Sequence, residues 1–137
     1  RDDGTMIVDS VTVVDSADEQ LFWDRLRATR EEDPSQPVFV YFIGARSAET
    51  GESWCPDCAL SDTKVIPLFA SLPDKALLVV ECPKEAYKSP DYVLRASTSV
   101  ALSCVPTLMR MDDTRARLGE AECANEDTLR EFLGSSA

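Results

Sequence analysis

Two thiols set three positions apart, Cys55 and Cys58 in Trp54-Cys55-Pro56-Asp57-Cys58, are the residues of this chain with the plainest chemistry. If a helix begins just after Cys55, unpaired backbone N–H groups of its first turn point at the Cys55 sulfur. That arrangement favours the thiolate, which is the nucleophilic form. Cys58, one helical turn on, would then be placed to attack a mixed disulfide formed at Cys55. Half of a zinc site has the same spacing, so the pair alone leaves both readings open. A zinc site usually shows a second ligand pair, whereas Cys82, Cys104 and Cys123 are scattered singly. The cysteine pair also follows an apolar run, Val38-Phe39-Val40-Tyr41-Phe42-Ile43, and a polar connection from Gly44 to Ser53. That order suits thiol chemistry at the end of a strand.

Composition narrows the field further. The chain of 137 residues contains no histidine. Ser-His and Cys-His catalysis are therefore excluded, and a metal site would have to use cysteine and carboxylate ligands; no metal is expected. Fourteen basic against 25 acidic residues give a net charge of −11, which argues against a nucleic-acid or anionic-membrane surface. No run approaches the ~20 apolar residues of a membrane-spanning helix. Arg1-Asp2-Asp3-Gly4 does not read as a secretory signal. An odd count of five cysteines suits a reducing compartment, and the cytoplasm is the expected location.

The elements that must hold the dithiol follow from hydrophobic spacing. Residues 1–9 are expected to be a flexible or edge extension around Met6-Ile7-Val8, and residues 10–137 one domain. Val11-Thr12-Val13-Val14 reads as a short strand. Asp15-Ser16 and Asp18-Glu19 supply the cap and first-turn acids of a helix over 17–31, with Leu21, Phe22 and Leu26 on its inner side and Trp23 flanking. Val38 to Ile43 has the near-continuous apolar character of a strand covered on both faces. A helix is predicted over 56–72, interrupted or kinked at Pro67, and a buried strand over 76–80. Ser89-Pro90-Asp91 has the cap, first-position proline and acid of a short helix to Ser97. Val105 to Met111 reads as a strand with proline at its start. A turn at Asp112-Asp113, a strand over 116–122 and a helix capped by Asn125, with Leu129, Phe132 and Leu133 inward, complete the chain. The order β-α-β-α-β-α-β-β-α indicates an α/β sandwich with a central mixed sheet flanked by helices.

This order, with C-x-x-C after the second strand and Val105-Pro106-Thr107 before the terminal hairpin, is similar to the three-layer thioredoxin fold from about residue 10 onward. Within that superfamily the chain resembles most closely the thioredoxin domain-containing protein 17 family. The resemblance is carried by the Trp-Cys-Pro-Asp-Cys pentad, by Tyr41-Phe42-Ile43-Gly44 followed by an extended loop ending Ser53-Trp54, and by Tyr87-Lys88-Ser89-Pro90, Val105-Pro106-Thr107-Leu108 and Glu122-Cys123 in that order.

The resemblance implies a disulfide reductase that binds no cofactor. Its redox-active Cys55–Cys58 disulfide would be recharged by NADPH through thioredoxin reductase. Implied substrates are cystine-like small disulfides and oxidised or nitrosylated protein thiols, and the protein is expected to be a monomer. Cys55 would attack and Cys58 resolve. Pro106 matches the cis-proline facing the dithiol, with the Val105 backbone free to pair with an extended substrate. Trp54 shields the site beside Pro56. Three departures stand out. Tyr41 occupies the position of a buried thioredoxin aspartate, leaving Asp57 as a candidate proton acceptor for Cys58. Thr63 stands where the helix-kinking proline is usual, with Pro67 one turn later. Cys104 lies in the loop that should face the site. A different class of function fits the same scaffold: a binding or regulatory module whose dithiol switches partner affinity.

Overall fold

The apolar run from Val38 becomes the middle of the fold, buried at every position from Val38 to Gly44. The computed structural model describes residues 7–134 with the exception of residue 73. In chain order the elements are β1 (Ile7–Thr12), α1 (Ser16–Glu32), β2 (Val38–Gly44), α2 (Pro56–Ala70), β3 (Ala76–Cys82), α3 (Lys84–Lys88), α4 (Val93–Ala96), β4 (Thr107–Arg110), β5 (Asp113–Gly119), a 3-10 turn (Glu120–Ala124) and α5 (Glu126–Gly134). The strands form one sheet in the order β1-β3-β2-β4-β5. β1 and β2 run parallel to β3, β4 runs antiparallel to β2, and β5 returns antiparallel along β4. The sheet is mixed, as the order of elements requires.

Successive strand residues face opposite sides of a sheet, and β2 uses both. Phe42 meets Phe22 of α1 edge-on at 6.0 Å between ring centroids. On the other side Phe39 meets Phe69 of α2 at 5.5 Å and Phe132 of α5 at 5.9 Å. Tyr41 shares the α2 side with Phe39, two positions away. Helices on both faces are what make a continuous apolar strand stable in water.

α1 is capped by Asp15, whose side chain accepts from the N–H groups of Ala17 and Asp18 at 3.1 Å each. Asp18 returns the favour by accepting from Asp15 N at 3.4 Å, and also from Val14 N at 2.9 Å, so an aspartate fills the third-position role of a capping box. Phe22 and Leu26 are buried as expected, but Leu21 is 54% exposed. Adjacent helix positions are about 100° apart, and Phe22 has taken the inward direction.

Four boundaries differ from the sequence reading. The first strand runs from Ile7 to Thr12 where Val11 to Val14 was expected, and it lies at the sheet edge; residues 1–6, Met6 among them, lie outside the described residues. α2 carries Pro67 inside it and ends at Ala70. Ser89-Pro90-Asp91 does not start a helix: it forms a turn closed by Tyr92 N donating to Ser89 O at 3.1 Å, between the short helices α3 and α4. Serine followed by proline suits the first two positions of a β-turn as well as a helix start. Finally, β4 begins at Thr107 and β5 ends at Gly119. Glu120 adopts φ +49°, and Glu122 folds back to accept from Gly119 N at 3.0 Å, so residues 120–122 leave the sheet.

Candidate active site

β2 delivers the chain to the end of the sheet at Gly44, where a narrow hairpin carries it out and back to Trp54. Its arms are joined by an Arg46–Ser53 bridge, by Ser47 N to Glu52 O at 2.8 Å and by Trp54 N to Ala45 O at 3.2 Å. Gly51 supplies the turn with φ +76°, a conformation that favours glycine. The Arg46 side chain pins the hairpin from the side. Its Nε donates to Asp62 Oδ2 of α2 at 3.1 Å, and its backbone N–H donates to Glu81 Oε1 of β3 at 2.9 Å.

The chain enters α2 directly from this hairpin. Cys55 is the N-cap, in extended conformation, and Pro56 takes the first helical position, where its missing N–H is no loss. Cys58 N donates to Cys55 Sγ at 3.3 Å: the sulfur fills the place a serine or aspartate oxygen takes at other helix starts. Cys55 Sγ in turn lies 3.7 Å from Val105 O. Cys55 is 7% exposed and Cys58 fully buried, and both are free thiols. Cys58 Sγ accepts from Gly44 N at 3.4 Å. Burial, followed by the hydrogen bond with Cys55, pushes the Cys58 thiol well above its ordinary range.

The loop facing Cys55 contains a cis peptide bond between Val105 and Pro106, so the Val-Pro-Thr segment and the cysteine pair meet as the motifs suggested. Val105 is itself buried, 5% exposed, with its carbonyl turned to the Cys55 sulfur. Trp54 closes the other side. Its Nε1 donates to Cys82 O at 2.8 Å, and its ring packs against Tyr87 at 5.6 Å. Asp57 is exposed on the first turn of α2, whereas the Cys58 sulfur faces inward to Gly44.

Tyr41 lies on the floor of the site. Its hydroxyl donates to Asp62 Oδ1 at 2.7 Å and accepts from Ser61 Oγ, which lies 3.1 Å from Cys58 O. Burial, and then the neighbouring Asp62 carboxylate, hold the phenol protonated far above its usual range. Tyr41 thus acts as a donor in this structure, and its carboxylate partner is Asp62. Arg46, Ser53, Ser61, Asp62 and Glu81 were missed in the sequence. Ser61 and Asp62 were within reach, since they stand three and four positions after Cys58 on one helix and so share its face.

The remaining cysteines are free thiols as well. Cys82 and Cys123 are fully buried, and burial pushes each thiol up to about 12. Cys104 is half-buried with its sulfur 3.5 Å from Thr107 Oγ1 and 3.9 Å from Pro106 O. Among the described residues no three Cys, Asp or Glu side chains converge as a metal site would require, and no helix is long and apolar enough to cross a membrane.

A family model described as "Thioredoxin domain-containing protein 17-like, thioredoxin domain" matches residues 18–135. The chain belongs to this family. It is 31% identical over 109 residues to thioredoxin domain-containing protein 17 of Epinephelus coioides, covering 79% of this chain and 86% of that one. It is 26% identical over 121 residues to the thioredoxin-like protein Clot of Oryza sativa subsp. japonica, covering 82% and 87% of the two. Among solved structures, a poplar thioredoxin h mutant superposes with a TM-score of 0.61 at 17% identity, over 97% of this chain and 84% of that chain. The fold is the thioredoxin fold, and the protein is thioredoxin-like with a Cys55–Cys58 pair.

Proposed function

We propose that this chain is a thiol–disulfide oxidoreductase that reduces disulfides with the Cys55–Cys58 dithiol. The reading is supported above all by the hydrogen bond from Cys58 N to Cys55 Sγ at 3.3 Å. It aims a helix N-terminus at the less buried of two sulfurs and leaves the second directly behind it. Positive partial charge at a helix start favours an anion there, and the thiolate is the attacking species.

In the proposed cycle the Cys55 thiolate attacks one sulfur of a substrate disulfide. The substrate S–S bond breaks, and its other half leaves as a thiolate that takes up a proton. Cys58 then gives up its proton, and its sulfur attacks Cys55, releasing the second half of the substrate. The dithiol is oxidised by two electrons and the substrate disulfide reduced by two. NADPH, through thioredoxin reductase, restores the dithiol. Cystine-like disulfides and oxidised or nitrosylated protein thiols are the proposed substrates, in the cytoplasm and with the protein acting as a monomer. Val105 and Pro106 present the substrate-facing loop, and Trp54 and Pro56 frame Cys55.

The test is NADPH oxidation in the presence of thioredoxin reductase and cystine. Turnover that disappears in Cys55→Ser is expected. An inert protein that instead captures a partner only when oxidised would replace this reading with that of a redox-switched binding module.

A further inference from the structure

The resolving sulfur presents a problem of its own. Cys58 is fully buried, and burial is the main reason its thiol resists ionisation. Without a counter-effect the second half of the proposed cycle would stall with substrate attached to Cys55.

One donor is aimed at the Cys58 sulfur: the Gly44 N–H, at 3.4 Å, and the Ser53 side chain also works against the upward push on the thiol. Ser53 holds the residue that carries this donor. Its hydroxyl donates to Gly44 O at 2.7 Å and accepts from Cys55 N at 3.1 Å. One side chain thereby clasps the two ends of the hairpin to each other and to the N-cap residue. The fit is tight: a Cβ on Gly44 would stand 2.9 Å from Ser53 Oγ and 2.6 Å from the Trp54 ring.

We propose that Ser53 is a positioning residue for the second half-reaction, holding Gly44 and the Cys55 N-cap together so that the Gly44 N–H stays on the Cys58 sulfur. This rests on the reductase reading above. As Cys58 ionises its proton passes to solvent, while the Ser53 hydroxyl keeps its bond to Gly44 O and so holds Gly44, with its N–H, against the sulfur. Charge developing on a buried sulfur is then met by a preorganised donor, the means by which enzymes stabilise buried anions generally. The Cys58 sulfur next bonds to Cys55, the bond from Cys55 to substrate breaks, and the substrate sulfur departs with the electron pair.

The experiment is stopped-flow reaction of the reduced protein with dithiobis(nitrobenzoate), in a Cys104→Ser background. Attack by Cys55 releases one aryl thiolate and resolution by Cys58 releases a second, so the two half-reactions are read as separate phases. In Ser53→Ala the second phase should slow about ten-fold relative to the first, a loss of about 1.4 kcal/mol, and its pH profile should move to higher pH. Ser53→Thr, which keeps the hydroxyl, should restore both. Equal slowing of the two phases, or an unchanged second phase, overturns the role of Ser53 and leaves the reductase reading standing. A protein with Ser53 intact that releases no second aryl thiolate overturns the reductase reading and this role together.

Discussion

The hydroxyl of Tyr41 donates to the carboxylate of Asp62 at 2.7 Å, joining the central strand to the helix that begins at the cysteine pair. The phenol stands on the strand and the acid on the adjoining helix, held on its other side by Arg46 at 3.1 Å. Tyr41→Phe keeps the ring and removes hydrogen bonds to Asp62 and Ser61 from a fully buried place. Loss of a hydrogen bond to a charged group costs about 1.5–3 kcal/mol. The urea midpoint should fall accordingly, and an unchanged midpoint would show that the hydroxyl contributes nothing there.

Gly44→Ala should damage the same end of the sheet by a different route. The added Cβ would lie 2.6 Å from Trp54 Cε2 and 2.8 Å from its Nε1, so the ring must leave its hydrogen bond to Cys82 O. Overpacking of this kind costs about 1–3 kcal/mol. A lower unfolding midpoint with an altered near-ultraviolet tryptophan signal is expected. Retention of both would mean that the Trp54 ring is not fixed by Gly44.

The hairpin between Gly44 and Trp54 borders Cys55 and is braced by Arg46 against Asp62 and Glu81. A braced wall of this kind limits how bulky a substrate can approach. Removing residues 48–51 should raise the rate with large protein disulfides relative to cystine. The ratio of the two rates is the measurement, and a ratio unmoved by the deletion contradicts a selective role for the hairpin.

Stability should fall in alkali. Burial raises the thiols of Cys82 and Cys123 from 9.0 to about 12 and pushes Cys58 up as well. Groups raised on folding contribute stability that is fully present below their unfolded value and lost as pH climbs toward the folded one. Between pH 9 and 12 the unfolded chain has released protons that the folded chain keeps, so the slope is negative, at most about 1.4 kcal/mol per pH unit per group. Urea unfolding of the reduced protein at pH 8 and pH 10 checks this. Equal or greater stability at pH 10 would contradict it.

Much of this architecture was legible in the sequence, and the reasons are physical. The run from Val38 to Ile43 needs cover on both faces, and Phe22, Phe69 and Phe132 provide it. Cys55-Pro56 marks a helix start because proline is favoured at the first helical position, where its missing N–H is no loss. Local signals were ambiguous where two structures use the same residues, as at Ser89-Pro90-Asp91. The brace under the site was not legible at all. Arg46 meets Asp62 across 16 positions and Glu81 across 35, and no periodicity connects a loop cation to acids on a helix and a strand. Ser53 reads as loop polarity until Gly44 and Cys55 are seen on either side of its hydroxyl.

The division of labour between the two sulfurs is tested most directly by trapping. Cys58→Ser, mixed in the reduced state with a protein disulfide substrate and examined by intact and peptide mass spectrometry, should accumulate close to one substrate adduct per chain at Cys55, while Cys55→Ser accumulates none at Cys58. Adducts on Cys58 or Cys104 in place of Cys55, or no adduct in either variant, would contradict the assignment of Cys55 as the attacking sulfur.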